Sequence, residues 1–500
     1  MADKQNKISP LPPRGMKDHL PDEVLPRLEV IDKLRRIFEL YGFLPLETPA
    51  MERLEVLMGK YGEEGDKLIF KVMKRGEELS RALEEVKNEM STPLNETSDR
   101  QSTLVQLVNR AASDLGLRYD LTVSLARVVA QYGEQLPKPF KRYQIAPVWR
   151  ADRPQRGRFR EFIQCDVDIV GSDSLVADAE IIGLLVDAYR ELGFDDCEVL
   201  VNHRGLLKAF NAVCGNQPDR FVDFCIAIDK LDKIDRAGVA AEMRERGLAT
   251  EKLGRFWELA DGKCHIDDKT GLSTLLQSTR NFVGQDGEGA ESLNQLEALF
   301  NLLNNLGVAE GSVTFDPTLA RGLDYYTGPV FEVVCKDRSI GSLGGGGRYN
   351  ELVGMFSNHS IPAVGTSFGL DRIVEALVAK GRLKSRRTTL EVEIIDLVGT
   401  DISAAYCGQL LRALRQKRVS CDLGYDRGSK PGKQLKSADR KNVPFVFIVG
   451  DEEIDTSLVK ESDETFVAGA AVTVKRLSDG LQKTLSLTEA VNWVKKPERD

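Results

Sequence analysis

Between about residues 21 and 41, apolar side chains recur every three and four positions, at Leu28, Ile31, Leu34, Phe38 and Tyr41. That period predicts an amphipathic helix. Gly42 stops it, and Phe43-Leu-Pro-Leu-Glu-Thr-Pro49 predicts a strand with breaks. Ahead of the helix stand Pro10, Pro12, Pro13, Gly15 and Pro21. They predict an extended arm, because proline lacks the amide donor and biases its predecessor away from helix. Over residues 161–169 the period changes to two. Ile163, Cys165, Val167 and Ile169 fall on one face of a strand, and Phe162, Gln164, Asp166 and Asp168 on the other. Residues 75–113 are highly charged and helical or loop-like, an insertion to which the sequence gives no role. Helical periodicity returns at 178–192 and 293–306, within a region, 172–312, expected to be mainly helical.

From about residue 390 strand and helix patterns alternate. Strands are predicted over 390–397, 419–423 and 443–449, helices over 403–417 and 431–442, strand-like alternation over 466–477, and a closing helix over 488–494. Such alternation implies a parallel or mixed sheet. A polar, basic stretch around 382–387 fits a linker, placed at 385–389, ahead of a separate domain at 390–500.

Five hundred residues are too many for one ordinary core, so two or three domains are expected. The chain is 42% hydrophobic and 29% charged, as soluble globular proteins are. A net charge of -8 excludes a generally basic nucleic-acid binder and leaves RNA contact to local basic patches. Eight cysteines are scattered with no CxxC pair, which suggests neither a zinc ribbon nor a redox motif and fits a reducing cytoplasm. The amino terminus is polar and has no apolar signal-peptide core. No apolar run is long enough to span a bilayer, so no membrane partner is expected. His19, His203, His265 and His359 have no metal spacing, and no Ser-His-Asp or Cys-His set stands out. No metal site is assigned to protein side chains.

The densest chemistry lies in Arg321-Gly-Leu-Asp-Tyr-Tyr-Thr-Gly328. Arginine offers a rigid donor fork suited to carboxylate or phosphate, tyrosines give flat walls with polar tips, and glycines allow close approach. The bland alternative is a surface turn. Asp166 and Asp168 on one face of a strand suit a ligand, or a sheet wetted on that side. Arg150, Arg153, Arg156, Arg158 and Arg160 suit phosphate handling and RNA, or a solvated basic hairpin. Gly344 to Gly347 suits a phosphate cradle or a flexible turn, but no Gly-Lys-Ser/Thr follows, so it is not a Walker A loop. Arg372 stands among apolar Leu370, Ile373 and Leu377, as a partly buried ion pair or a ligand-gripping group.

Four passages in order resemble the class II histidyl-tRNA synthetase family: Arg118-Tyr-Asp-Leu-Thr-Val123, Arg142 to Arg150 running on to Arg158 to Asp168, Arg321 to Gly328, and Gly365-Thr-Ser-Phe-Gly-Leu-Asp-Arg372. The likeness spans nearly the whole chain and is weakest between about 172 and 312. It implies an α/β fold with an α+β catalytic domain: an antiparallel class II sheet flanked by helices (1–171 and 313–384), a helical insertion (172–312) and a C-terminal α/β anticodon-binding domain (390–500). It also implies histidine activation with ATP and Mg²⁺, transfer to tRNA(His), a cytoplasmic location, and a homodimer built through the helix and strand near residues 21–49.

By the same resemblance, Asp120, Leu121, Thr122, Arg150, Gln164, Asp168, Arg321, Tyr325 and Tyr326 bind histidine. Arg150, Asp152, Arg158, Phe159 and Arg372 bind ATP. Arg153, Gln155 and Arg156 meet the tRNA acceptor end, and Arg150, Arg321 and Arg372 are catalytic. Asp152 stands where the family often has glutamate, and Ser124 where it often has proline. Two other readings are a synthetase-like regulatory protein and a pure RNA-binding module. Intact arginines at 150, 321 and 372 and about 110 residues after the linker weigh against the first. An unexplained Asp120, Gln164 and Asp168 weigh against the second.

Overall fold

A computed structural model describes residues 8–58, 68–90, 100–154, 159–231, 233–308, 311–321, 325–336, 341–356, 360–383, 387–460 and 463–496. The chain forms two compact units, one of residues 1–18 and 29–382, the other of 19–28 and 383–500.

The first unit carries strands β1 (Leu44–Pro45), β2 (Met51–Arg53), β3 (Phe70–Met73), β4 (Ser113–Leu117), β5 (Phe140–Trp149), β6 (Glu161–Val170), β7 (Cys197–His203), β8 (Cys264–His265), β9 (Val313–Phe315), β10 (Pro329–Cys335), β11 (Gly344–Arg348) and β12 (Ala363–Gly369). Nine of them make one sheet in the order β1-β5-β6-β12-β11-β10-β7-β9-β8. β1 runs parallel to β5, and β7 to β9; the other neighbours are antiparallel. β2, β4 and β3 form a separate small sheet.

Register decides which side chains share a face. Arg142, Asp168, Gly365, Gly347, Val330 and Asn202 lie in one row across five pairings, and Gln144, Asp166, Ser367, Gly345 and Glu332 in the next row of the same face. The opposite face carries Cys165, Val167, Ile169, Val364, Phe368, Phe331 and Val333, all buried. Helices Leu175–Glu191 and Leu370–Ala379 pack on it. Phe368 stacks on Tyr189 at 5.5 Å between ring centres and meets Phe38 of helix Pro21–Leu40 at 5.3 Å. Ile31, Leu34 and Phe38 of the expected stripe are buried, joined by Val30 and Ile37, while Leu28 is exposed and Tyr41 lies past the helix end; Gly42 follows with φ +77, a conformation few other residues adopt.

Three expectations change. Residues 172–312 do hold six helices of eight or more residues after 203, yet β7 from the same stretch sits inside the large sheet, between β10 and β9. Its short alternation between helices is easily lost in the surrounding helical periods. Gly344 to Gly347 is neither a turn nor a loop but a strand paired on both sides. Composition alone cannot tell the two apart, since glycine is permissive in either.

In the second unit, β13 (Val392–Asp396), β14 (Cys421–Leu423), β15 (Phe445–Val449), β16 (Ala471–Arg476) and β17 (Gln482–Ser486) form a sheet ordered β14-β13-β15-β16-β17. The first three are parallel and the last two antiparallel additions. Here the third change appears: 466–477 is not one strand, because Asp463–Gly469 is helical. Phe466 turns from the strand pattern to pack edge-on against Tyr406, 5.1 Å between centres.

On the helix face, buried Arg348 holds buried Asp178 with Nε and Nη2, while Nη1 donates to the Ser172 carbonyl and Nη2 to that of Ser174. This pair ties β11 to the start of helix Leu175–Glu191. Removing one partner leaves a buried charge unmatched, which costs about 3–5 kcal/mol. We expect Arg348→Ala to lower the unfolding midpoint of the first unit accordingly, and Arg348→Met with Asp178→Leu to restore much of the loss. A double variant as unstable as the single one would contradict this account.

Candidate functional site

β6 supplies the acidic face because its neighbours β5 and β12 force strict alternation. Asp166 and Asp168 are each 3% exposed, so the face is not simply wetted. Between them stands Arg142 of β5, fully buried. Its Nη2 lies 2.7 Å from Asp168 Oδ2, but off the line of a good hydrogen bond, leaving both atoms unsatisfied. Asp168 Oδ1 accepts from the Tyr349 hydroxyl. Burial pushes the Asp168 carboxyl up, and Arg142 and Tyr349 oppose that. Burial likewise lifts Asp166 to about 7, against Arg142 and with the help of Asp168.

Gln164 donates from Nε2 to Ser367 Oγ at 3.0 Å, and Gln144 to Thr48 Oγ1 at 3.0 Å. Gln144 Oε1, Gln164 Oε1, Asp166 Oδ1 and all three guanidinium nitrogens of Arg142 have no hydrogen-bond partner among the described residues. So many buried polar atoms left open on one face are costly unless something else completes them.

Beside this group the sheet has almost no side chains. A Cβ on Gly365 would stand 1.9 Å from Asp168 Oδ1, one on Gly345 2.6 Å from Arg321 Nη1, and one on Gly347 2.8 Å from the Tyr326 ring. The missing side chains let Asp168, Arg321 and Tyr326 lie close against buried glycine backbone. Asp168 is two strand spacings, about 10 Å, from β11. Tyr325 and Tyr326, buried with ring centres 4.5 Å apart, wall this floor, and Tyr325 meets Tyr349 at 5.7 Å, edge-on. Arg321 Nη1 donates to Glu332 Oε1 at 2.9 Å.

Asp120 caps helix Thr122–Tyr132, its Oδ1 accepting from the Val123 amide at 3.1 Å. Burial raises it, and Val123 and then Arg150 pull it back. Leu121 is fully buried and Thr122 half-buried. Arg150 Nε donates to the Tyr119 carbonyl at 3.0 Å, and its guanidinium lies over the Phe162 ring at 5.1 Å. Thus Asp120 lies within the electrostatic reach of Arg150 and Arg142, and Gln164, Asp166 and Asp168 share the same face.

Asp152 and Phe159 are half-buried beyond the end of β5 and before β6, and Arg153 is exposed. Gln155, Arg156 and Arg158, like Gly322 to Asp324, lie outside the described residues. Arg372 is exposed on helix Leu370–Ala379 and donates to the Ser342 carbonyl at 2.7 Å, so it is not a partly buried ion pair. Sequence reasoning missed Arg142, Tyr349, Gln144, Ser367 and Glu332. Only Arg142 carried a usable signal: a charge that shares one face of a strand with apolar Phe140, Ala146 and Val148.

Replacing Arg142 by Ala should strand two carboxylates in the sheet and destabilise the first unit by about 3–5 kcal/mol near pH 8. Protonation relieves that repulsion, so the penalty should shrink as pH falls toward 5.5. Urea unfolding of both proteins at the two pH values tests it; an equal penalty would dismiss the electrostatic role.

Residues 85–373 match the family model described as histidyl-tRNA synthetase, and 391–497 that described as anticodon binding domain. The chain is 38% identical over 475 residues to a histidine--tRNA ligase of Christiangramia forsetii, covering 95% of this chain and 96% of that one. It is 39% identical to the one from Flavobacterium johnsoniae, with 95% and 98% covered. Among solved structures, the histidyl-tRNA synthetase of Nostoc sp. PCC 7120 aligns with a TM-score of 0.77 at 27% identity, over 98% of this chain and 100% of that one. A Bacillus halodurans protein, described as an ATP phosphoribosyltransferase regulatory subunit/histidyl-tRNA synthetase, shares the fold at 23% identity and TM-score 0.64, over 87% and 97%.

Proposed function

The chain belongs to the histidyl-tRNA synthetase family, and we propose that the glycine-floored face of its large sheet binds the amino acid. It is a class II histidine–tRNA ligase. The histidine carboxylate attacks the α-phosphate of ATP and displaces diphosphate; the terminal ribose hydroxyl of tRNA then attacks the acyl-adenylate and AMP leaves. Identity of 38% over almost the full length favours this enzyme over a regulatory relative, and a site of this kind over an RNA-binding module alone.

The observation that carries the site assignment is the cluster of unpartnered buried polar atoms beside the glycines. An amino-acid ammonium has three donors, which suit Gln164 Oε1, Asp168 and the Asp120 end of the site, with Leu121 and Thr122 closing it. Arg150 and Arg321 take the opposite sign: the substrate carboxylate and the α-phosphate. Both are held by acceptors, Arg150 by Tyr119 O and Arg321 by Glu332, so their forks are positioned before phosphate arrives. Tyr325 and Tyr326 flank the imidazole. Asp152, Arg158 and Phe159 serve ATP, and exposed Arg372 is free of a deep ion pair and suits the γ-phosphate. Arg153, Gln155 and Arg156 face the tRNA acceptor end.

Among the described residues no three His, Cys, Asp or Glu side chains cluster as a metal site. Mg²⁺ is assigned to the nucleotide substrate, on whose phosphates it would arrive with water completing the shell. The chain's own contribution is positioning and charge neutralisation, which in-line phosphoryl chemistry chiefly needs. Residues 391–497 serve tRNA recognition through the anticodon. A homodimer through the helix and edge strand near residues 21–49 fits exposed Leu28, Leu40 and Leu44 there, and a cytoplasmic location fits eight free cysteines.

Histidine-dependent exchange of pyrophosphate into ATP, without tRNA, tests the site. Arg321→Ala should slow adenylate formation by roughly two to three decades, the scale of losing one preorganised donor. Gly345→Ala, whose new methyl meets Arg321, should reduce it in the same direction while histidine affinity changes less. A near-normal rate in both would sink the assignment of Arg321.

A further inference from the structure

Asp166 is the buried acid that the mechanism leaves without a task. It lies two residues before Asp168 on the same face of β6, and one of its oxygens, Oδ1, has no hydrogen-bond partner among the described residues. The groups around it are few. From β5 come Arg142, whose charge reaches both aspartates, and Gln144, its register partner. From β12 comes Ser367, its other register partner, whose hydroxyl accepts from Gln164 Nε2 and favours the Asp166 carboxylate. On its own strand are Gln164 and Asp168, and Asp120 acts on it from the turn before helix Thr122–Tyr132. One buried cation thus faces three carboxylates, and Arg150 offsets only the Asp120 end. Ionising all three at once leaves excess negative charge in a place that water does not reach.

We propose that Asp166 is a proton-exchanging positioning residue of the histidine site, holding a proton when no ammonium is bound and releasing it to solvent when the substrate ammonium docks beside Asp168. No covalent bond changes: a carboxylic acid becomes a carboxylate, the proton goes to bulk water, and the positive charge of the arriving ammonium takes its place. The inference rests on the assignment of Gln164 and Asp168 to that ammonium. Burial holds the Asp166 carboxyl near neutrality, at about 7, in line with the geometry. An added cation lowers that value, so by linkage binding tightens above pH 7 and weakens as pH falls through it.

Calorimetric titration of the full-length enzyme with L-histidine, in two buffers of different ionisation enthalpy, counts the protons released. Histidine's own imidazole titrates too, so the wild type is compared with Asp166→Asn. At pH 7 the wild type should release about half a proton more than the variant. In pyrophosphate exchange, the ratio of wild-type to variant KM for histidine should rise as pH drops from 8 to 6, approaching tenfold per unit at the acid end, with kcat following little of it. A merely structural role would shift KM by the same factor at every pH. Should Asp166→Asn not fold, Ser367→Ala serves: it removes the hydroxyl that favours the Asp166 carboxylate and should move the pH midpoint of KM upward. Equal proton counts, or parallel pH profiles, overturn the proposal. Gln164→Ala and Asp168→Asn separate it from its premise. If neither raises the KM for histidine, the site assignment itself fails; if they do and the proton counts still agree, only the role of Asp166 fails.

Discussion

A guanidinium out of reach of water governs the catalytic half of this chain. Arg142 is fully buried, and a buried charge is tolerable only among opposite charges and acceptors. That requirement calls for Asp168 and Asp166 on the adjoining strand and fixes the β5–β6 register, because a slip of one residue would put Arg142 and the aspartates on opposite faces. The match is incomplete: every nitrogen of the arginine lacks a well-directed partner among the described residues. A folding device would be finished more neatly. An incompletely satisfied face is what a ligand-binding surface looks like before its ligand contributes.

The glycines of β11 and β12 answer to the same demand. Four consecutive glycines make a poor strand, having nothing to pack and much entropy to lose. Here they are held by ladders on both sides and, from behind, by Arg348 gripping Asp178. The front then admits close neighbours while the back is anchored. Tyr326 and Arg321 come to rest where the missing Cβ atoms would have been, so the walls of the site are set by an absence written into the sequence.

How legible was this beforehand? The alternation of β6 gave the acidic face correctly, since period two is a strong signal over nine residues. The glycine run gave a close backbone approach but not its form, because the ladder partners come from residues far along the chain. β7 was absorbed into a helical region for the same reason: a seven-residue strand becomes central only when β10 arrives more than a hundred residues later. Arg372 looked half-buried from its apolar neighbours, yet a helix shows one side to water, and position 372 falls there. Residue roles came from family likeness and not from pattern, since periodicity distinguishes faces and not ligands.

On the proposed assignment of the site, the distribution of sign sets the direction of binding. Acids gather on β6 and before helix Thr122–Tyr132, while the arginines that remain open, Arg150 and Arg321, lie at its margins with an aromatic or an acid holding each in place. An α-amino acid carries its opposite charges within about three bonds, so such a field admits it one way round. In the proposed site that orientation would present the carboxylate to the arginines and send the side chain toward the tyrosines. Specificity for imidazole then follows from walls with polar tips, which lose hydrogen bonds when a ring without nitrogen takes its place. Activation and selection therefore depend on one arrangement of charge, and an editing step has little left to correct.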